Sequence, residues 1–157
     1  MASMTAGRVL EIKGNSQVFS VLESTPLAEL VREACRRNIG AVLVTGATGQ
    51  LCGIVSERDI MRQCERQADF QRVTAGEVMT RDLATVRMED DIDTVMDLMI
   101  SRKIRHLPVL AGAQVAGVIT VRDLLFAMRR ADHEELQRFV EYLQSTLNER
   151  ERSKHSA

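Results

Sequence analysis

Tryptophan is absent, and the 157 residues include only one Tyr and four Phe. Such a chain offers no aromatic platform on which unpaired bases could stack. Its core must be aliphatic, helped by eight Met. An excess of one charge is lacking too. The 21 Lys and Arg stand against 22 Asp and Glu, which leaves no basic footprint for nucleic acid. Cysteine is sparse and odd in number, and Cys35, Cys52 and Cys64 form no Cys-x-x-Cys pair. Each has apolar neighbours in sequence, so the expectation is three buried, reduced thiols in a reducing compartment. Long hydrophobic runs are missing as well. The uncharged stretches 39–56 and 107–121 are broken by Gly, Thr, Gln or Pro, unlike a spanning helix. Residues 1–7 carry no charged-then-apolar signal pattern. Length and composition together predict one compact, soluble, cytoplasmic domain with enough chain for a sizeable core.

The common catalytic motifs are also missing. Gly53-Ile54-Val55-Ser56 is not Gly-x-Ser-x-Gly, no Gly-x-Gly-x-x-Gly opens a Rossmann turn, and no Gly-Lys-Ser/Thr follows the glycines at 46–53. His106, His133 and His155 are scattered, and none has metal-ligand spacing with a Cys. With no nucleophile–base set visible, the expectation is no catalysis and no metal.

What the chain does hold is a phrase said twice. Gly53-Ile54-Val55-Ser56-Glu57-Arg58-Asp59-Ile60 returns as Gly117-Val118-Ile119-Thr120-Val121-Arg122-Asp123-Leu124. Each copy reads as a buried strand that turns directly into a helix, with Ser56 or Thr120 as N-cap. The same geometry suits an anion, since free N–H groups and the positive end of the helix dipole point beyond the cap. Arg58 and Arg122 add forked donors for phosphate. Asp59 and Asp123 are acceptors suited to a vicinal diol such as a ribose. A capped helix is the simpler reading of one Ser-x-x-Asp, but capping alone does not require Arg-Asp both times.

The duplication extends further. Residues 5–10 are echoed by 74–79 as a short lead-in helix, and an extended stretch follows at 18–22 and 83–86. Lys13-Gly14-Asn15-Ser16 supplies turn residues in the longer first connection. Leu27, Leu30, Val31, Ala34 and Cys35 form one helical stripe, matched by Ile92, Val95, Met96, Met99 and Ile100. Thr25-Pro26 gives a cap and a first-turn Pro to the first of these helices, and Asp90, Asp91 and Asp93 place negative charge at the start of the second. Two apolar strands joined by a glycine turn follow in each unit, 41–44 with 51–55 and 107–110 with 115–119. A second helix carries Ile60, Met61 and Cys64, matched by Leu124, Leu125 and Met128. From Asp132 a charged helix to about Glu151 bears Leu136, Phe139, Val140, Leu143 and Leu147 on one face, a core or dimer seam rather than a membrane face.

The repeated phrase resembles the signature of cystathionine-β-synthase (CBS) domains, which occur in tandem as the Bateman module. The resemblance covers roughly residues 5–130. It implies an α/β (α+β) fold of two β-α-β-β-α repeats, 5–68 and 74–130, forming one pseudo-two-fold module. A C-terminal helix at 131–152 and a disordered tail at 153–157 complete the reading. It also implies an adenosyl ligand, with AMP, ATP, NAD(H) and S-adenosylmethionine all open, held in clefts between the repeats.

The site residues that the resemblance brings forward are Ser56, Arg58, Asp59, Thr120, Arg122 and Asp123, with Arg105, His106 and Pro108 of the Arg-His-Leu-Pro segment. Ile39, Gly40, Ala41 and Ile104 follow as candidate walls. Met79 and Thr80 border the cleft in this family, although a buried Met and a turn Thr explain them equally well. The first repeat has Gly40-Ala41 where the second has Arg105-His106. If each cleft joins the turn of one repeat to the strand start of the other, Asp59 should have the tighter site. The expected protein is a stand-alone regulatory module, a homodimer that acts on an unidentified effector protein, with neither nucleic acid nor membrane as partner. A structural adaptor with empty clefts is the alternative.

Overall fold

The computed structural model describes residues 4–14, 17–132 and 137. In order, the elements are α1 (Ala6–Lys13), β1 (Ser20–Leu22), α2 (Leu27–Arg37), β2 (Ala41–Thr45), β3 (Leu51–Ser56), α3 (Glu57–Glu65), α4 (Ala75–Val78), β4 (Val86–Arg87), α5 (Ile92–Arg102), β5 (His106–Ala111) and β6 (Gln114–Thr120). A sixth helix, α6, takes up residues 121–132. The expected C-terminal stripe from Leu136 onward and the tail lie outside the described residues.

The strands form two sheets of the same design, β1-β2-β3 and β4-β5-β6. In each, the first pair is parallel with a helix crossing between, and the second is an antiparallel hairpin. Both hairpins slip register at equivalent places, between Val44 and Thr45 and between Val109 and Leu110. The first strands are shorter than the apolar pattern suggests. In the second repeat the Leu83 N–H bonds the Arg81 carbonyl at 2.9 Å, so a turn delays β4 until Val86.

The lead-in helices are exchanged between the repeats. Ala6, Val9 and Leu10 of α1 are buried with Val95, Leu107, Ile119 and the rest of the second core. Ala75 and Met79 join Leu27, Leu30, Val44 and Val55 of the first. This packing accounts for the glycine that opens each phrase. A Cβ at Gly117 would lie 2.7 Å from Leu10 Cδ2, and one at Gly53 would lie 2.8 Å from the Thr80 carbonyl oxygen.

Several local expectations need correction. No side chain caps α2. Its first N–H groups instead find the carbonyls of Val73 (Leu27 N, 2.8 Å) and Phe70 (Ala28 N, 2.9 Å), so the linker between the repeats does the work assigned to Thr25. The stripes hold at Leu27, Leu30, Ala34, Val95 and Met99, but their last members do not. Cys35 is exposed and Ile100 is 73% exposed. Eight residues at about 100° each overshoot two turns by about 80°, enough to leave the buried face. The second helices bury Leu124 and Ala127 but expose Met61, Cys64 and Leu125. With Cys52 half-buried, none of the three thiols is a core residue.

Candidate functional site

Each repeated phrase closes on itself. Asp59 Oδ2 accepts from the Ser56 N–H at 2.9 Å and from its hydroxyl at 2.6 Å. Asp123 Oδ2 accepts from the Thr120 N–H and hydroxyl, both at 2.8 Å. These are reciprocal capping contacts, so cap and carboxylate fix each other's rotamers. The first N–H of each following helix is also engaged, Glu57 N by the Gly40 carbonyl and Val121 N by that of Arg105. Fewer free donors therefore remain for an anion than the bare pattern implies, and the basic side chains must supply more.

Beyond this shared cap the copies diverge. Asp59 is 7% exposed, and its other oxygen meets Arg62 at 3.4 Å. Asp123 is half-buried, and its Oδ2 also accepts from Lys13 Nζ at 2.9 Å. Among the described residues nothing donates to its Oδ1. Burial alone would raise the Asp123 carboxyl, but the Lys13 and Thr120 hydrogen bonds outweigh that and hold it below the usual carboxylate range.

A cavity of 880 Å³ opens at this second carboxylate, within the range of small-molecule sites. One side is the apolar end of the first repeat, with Ile39, Gly40, Ala41 and Val31. The other side is polar and belongs to the second repeat, with Arg105, His106, Thr120, Arg122 and Asp123, joined by Lys13 from α1. Four cations, Lys13, Arg37, Arg105 and Arg122, line it against two carboxylates, Glu57 and Asp123. Arg37 lies over the Phe19 ring with 4.1 Å to the centroid. Arg105 approaches Glu57 of the other repeat at 3.6 Å. The His106 imidazole is pushed below its ordinary value, first by burial and then by Arg105 and Lys13, against the pull of Glu57 and Asp123. It is therefore neutral near pH 7.

Of the residues singled out from sequence, Ile39, Gly40, Ala41, Arg105, His106, Thr120, Arg122 and Asp123 line this cavity, and the rest do not. Ser56 and Asp59 are spent on their own cap. Arg58 reaches across the repeats to the Lys103 carbonyl at 3.3 Å. Pro108 is fully buried in β5 opposite Val118, and Ile104 packs on the second core. Met79 is core, and Thr80 exchanges backbone hydrogen bonds with Ile54. Arg105 and His106 thus line the cavity at Asp123, with Arg105 also facing Glu57 of the first phrase. The cause is register: His106 stands directly opposite Thr120 in the hairpin, so the sheet ties the pair to its own repeat's carboxylate. Sequence reasoning missed Lys13, which looked like a turn residue. Its only signal was its place in the last turn of a helix, with Gly14 as the left-handed cap.

The comparisons agree with this architecture. The CBS-domain family model matches residues 9–66 and again 75–130. The chain belongs to the CBS-domain family. It is 33% identical over 150 residues to the mitochondrial CBS domain-containing protein CBSX3 of Arabidopsis thaliana, covering 90% of this chain and 73% of that protein. Among solved structures, the CBS-domain containing protein ATU1752 of Agrobacterium tumefaciens superimposes with a TM-score of 0.75 at 26% identity, over 82% of this chain and 97% of that one. A second crystallised CBS domain, NE2398, gives 0.73 at 29% identity, over 77% and 94%. Both copies of the phrase fall inside the matched segments, and the chain is a CBS-pair regulatory module. Among the described residues no helix is long and apolar enough to cross a membrane.

Proposed function

We propose that this CBS pair binds an adenine nucleotide in the cavity at Asp123 and passes its occupancy to a separate effector protein, without catalysing turnover. The observation that carries the reading is the composition of that cavity. An apolar wall from one repeat meets three cations, Lys13, Arg105 and Arg122, and a carboxylate with an open oxygen on the other side. Adenine suits the wall at Ile39 and Ala41, a ribose diol suits Asp123 Oδ1, and phosphates suit Arg105 and Arg122. A ligand spanning the cavity would touch both repeats, so its binding energy could bias their relative arrangement. The active form in this reading is a cytoplasmic homodimer, although the Arabidopsis relative is mitochondrial by name.

A thermal-shift panel with AMP, ATP, NAD(H) and S-adenosylmethionine tests the assignment. At least one should raise the melting temperature in a concentration-dependent way. If none does, and calorimetry is also silent, the structural adaptor becomes the better reading. Its support is that both signature carboxylates already serve as helix caps.

A further inference from the structure

We propose that Lys13 makes the cavity selective for phosphorylated adenosine ligands over neutral or cationic ones, an inference that rests on the nucleotide reading of the cavity. Lys13 reaches the site from a distant part of the sequence. Its Nζ donates to the Val118 carbonyl at 2.8 Å and to Asp123 Oδ2 at 2.9 Å, spanning 105 and 110 residues. The stem is held in place because α1 packs on the second core and Gly14 ends the helix immediately after it, with φ 69°.

An ammonium has three donors, and these two contacts leave one unassigned on a side chain that is 28% exposed. The amine therefore holds one oxygen of the ribose-type acceptor and leaves the other open. Three ligand classes fare differently. A neutral nucleoside can bond Oδ1 alone, and that carboxylate already shares its charge with Lys13. A sulfonium such as that of S-adenosylmethionine enters a cavity where Lys13, Arg105 and Arg122 outnumber Glu57 and Asp123, the fourth cation, Arg37, being paired with Glu33. A phosphorylated ligand gains the remaining Lys13 donor as a charge-assisted bond, and its negative charge relieves the crowding among Lys13, Arg105 and Arg122. The first repeat has no equivalent, since Asp59 faces Arg62 of its own helix instead.

Calorimetry of the full chain with ATP, adenosine and S-adenosylmethionine decides the matter. The wild type should bind ATP at least about tenfold more tightly than the other two. Lys13→Met should bind ATP about tenfold more weakly and adenosine more tightly, whereas Lys13→Arg should keep the wild-type order. Lys13→Gln is a second neutral variant, read in the same way if the Met form does not fold. An ATP-to-adenosine ratio that Lys13→Met leaves unchanged overturns the role of Lys13 while the nucleotide site stands. A wild type that holds adenosine or S-adenosylmethionine as tightly as ATP overturns it without any variant. A wild type that binds none of the three overturns the nucleotide site itself.

Discussion

The two signature aspartates look alike in sequence but differ in what their oxygens are free to do. Asp59 is buried, with both oxygens engaged inside its own helix start, so its removal is chiefly a stability lesion. Asp59→Ala should cost about 1–2 kcal/mol as a lost cap, read by urea denaturation. Asp123→Ala gives up a similar cap and also the open oxygen in the cavity. Nucleotide affinity should fall about tenfold or more, the value of a charge-assisted hydrogen bond. Calorimetry on the two variants separates these roles, and an equal loss of affinity in both would contradict the difference. A pH effect belongs to His106. Its folded-state pKa lies below the ordinary 6.5, so the unfolded chain takes up the proton first. Stability is unaffected above about pH 6.5 and declines as the pH falls through that value toward the folded pKa. Denaturant melts at pH 7.5 and 5.5 should show the wild type losing more stability than His106→Gln. The Asp123 carboxyl works in a lower window. Its contribution is present above the ordinary carboxylate value and is lost as the pH falls through its depressed folded value.

At the level of elements, the glycine opening each repeated phrase marks where the other repeat's lead-in segment lies against the sheet. The consequences differ with what a methyl would strike. At Gly53 it would meet the Met79 side chain and also the Thr80 backbone carbonyl, which is held by paired hydrogen bonds to Ile54. At Gly117 it would meet the end of the Leu10 side chain and no backbone atom as near. Gly53→Ala should therefore cost about 1–3 kcal/mol as overpacking, and Gly117→Ala distinctly less, by denaturant melts of both. The same elements mark how far a sequence can be read. Strand–turn–strand pairs and helix stripes were legible because burial writes itself as apolar periodicity, and the duplication made each copy a check on the other. The cap of α2 was not, since its N–H groups are satisfied by backbone at 70–73, and carbonyls leave no residue signature. Cys35 and Ile100 misled because a periodic pattern does not announce where its face ends. Half of the candidate site was legible for a similar reason: Thr120, Arg122 and Asp123 stand in a motif, whereas Lys13 reaches Asp123 only through tertiary packing of α1. Which carboxylate the Arg105-His106 segment stands beside was not legible, since facing His106 to Thr120 depends on the hairpin slip at Val109 and Leu110.

For the whole molecule, exchange of the lead-in helices makes the two repeats depend on each other, because each core is completed by a segment from the other half of the chain. Removal of residues 1–14 would strip Ala6, Val9 and Leu10 from the second core. The two larger side chains are each worth about 1.5–3 kcal/mol of burial, so the truncated chain should melt far lower. Several large apolar side chains on the helices stand exposed. Met61 of α3, Ile100 of α5 and Leu125 and Phe126 of α6 are between 55% and 73% exposed among the described residues. Large apolar side chains presented together by helices mark association surfaces when they fall in one patch, and two-fold pairing is the commonest arrangement that buries such a surface against itself. The chain should therefore have twice its 17.6 kDa mass by light scattering at micromolar concentration. A charge placed at Leu125 or Phe126 would have to be desolvated in such an interface, at a cost that surface positions do not incur. Phe126→Glu should accordingly shift the protein to 17.6 kDa while its circular dichroism stays native. A wild type that is already monomeric, or a Phe126→Glu form that stays dimeric, would place the helices outside any dimer seam.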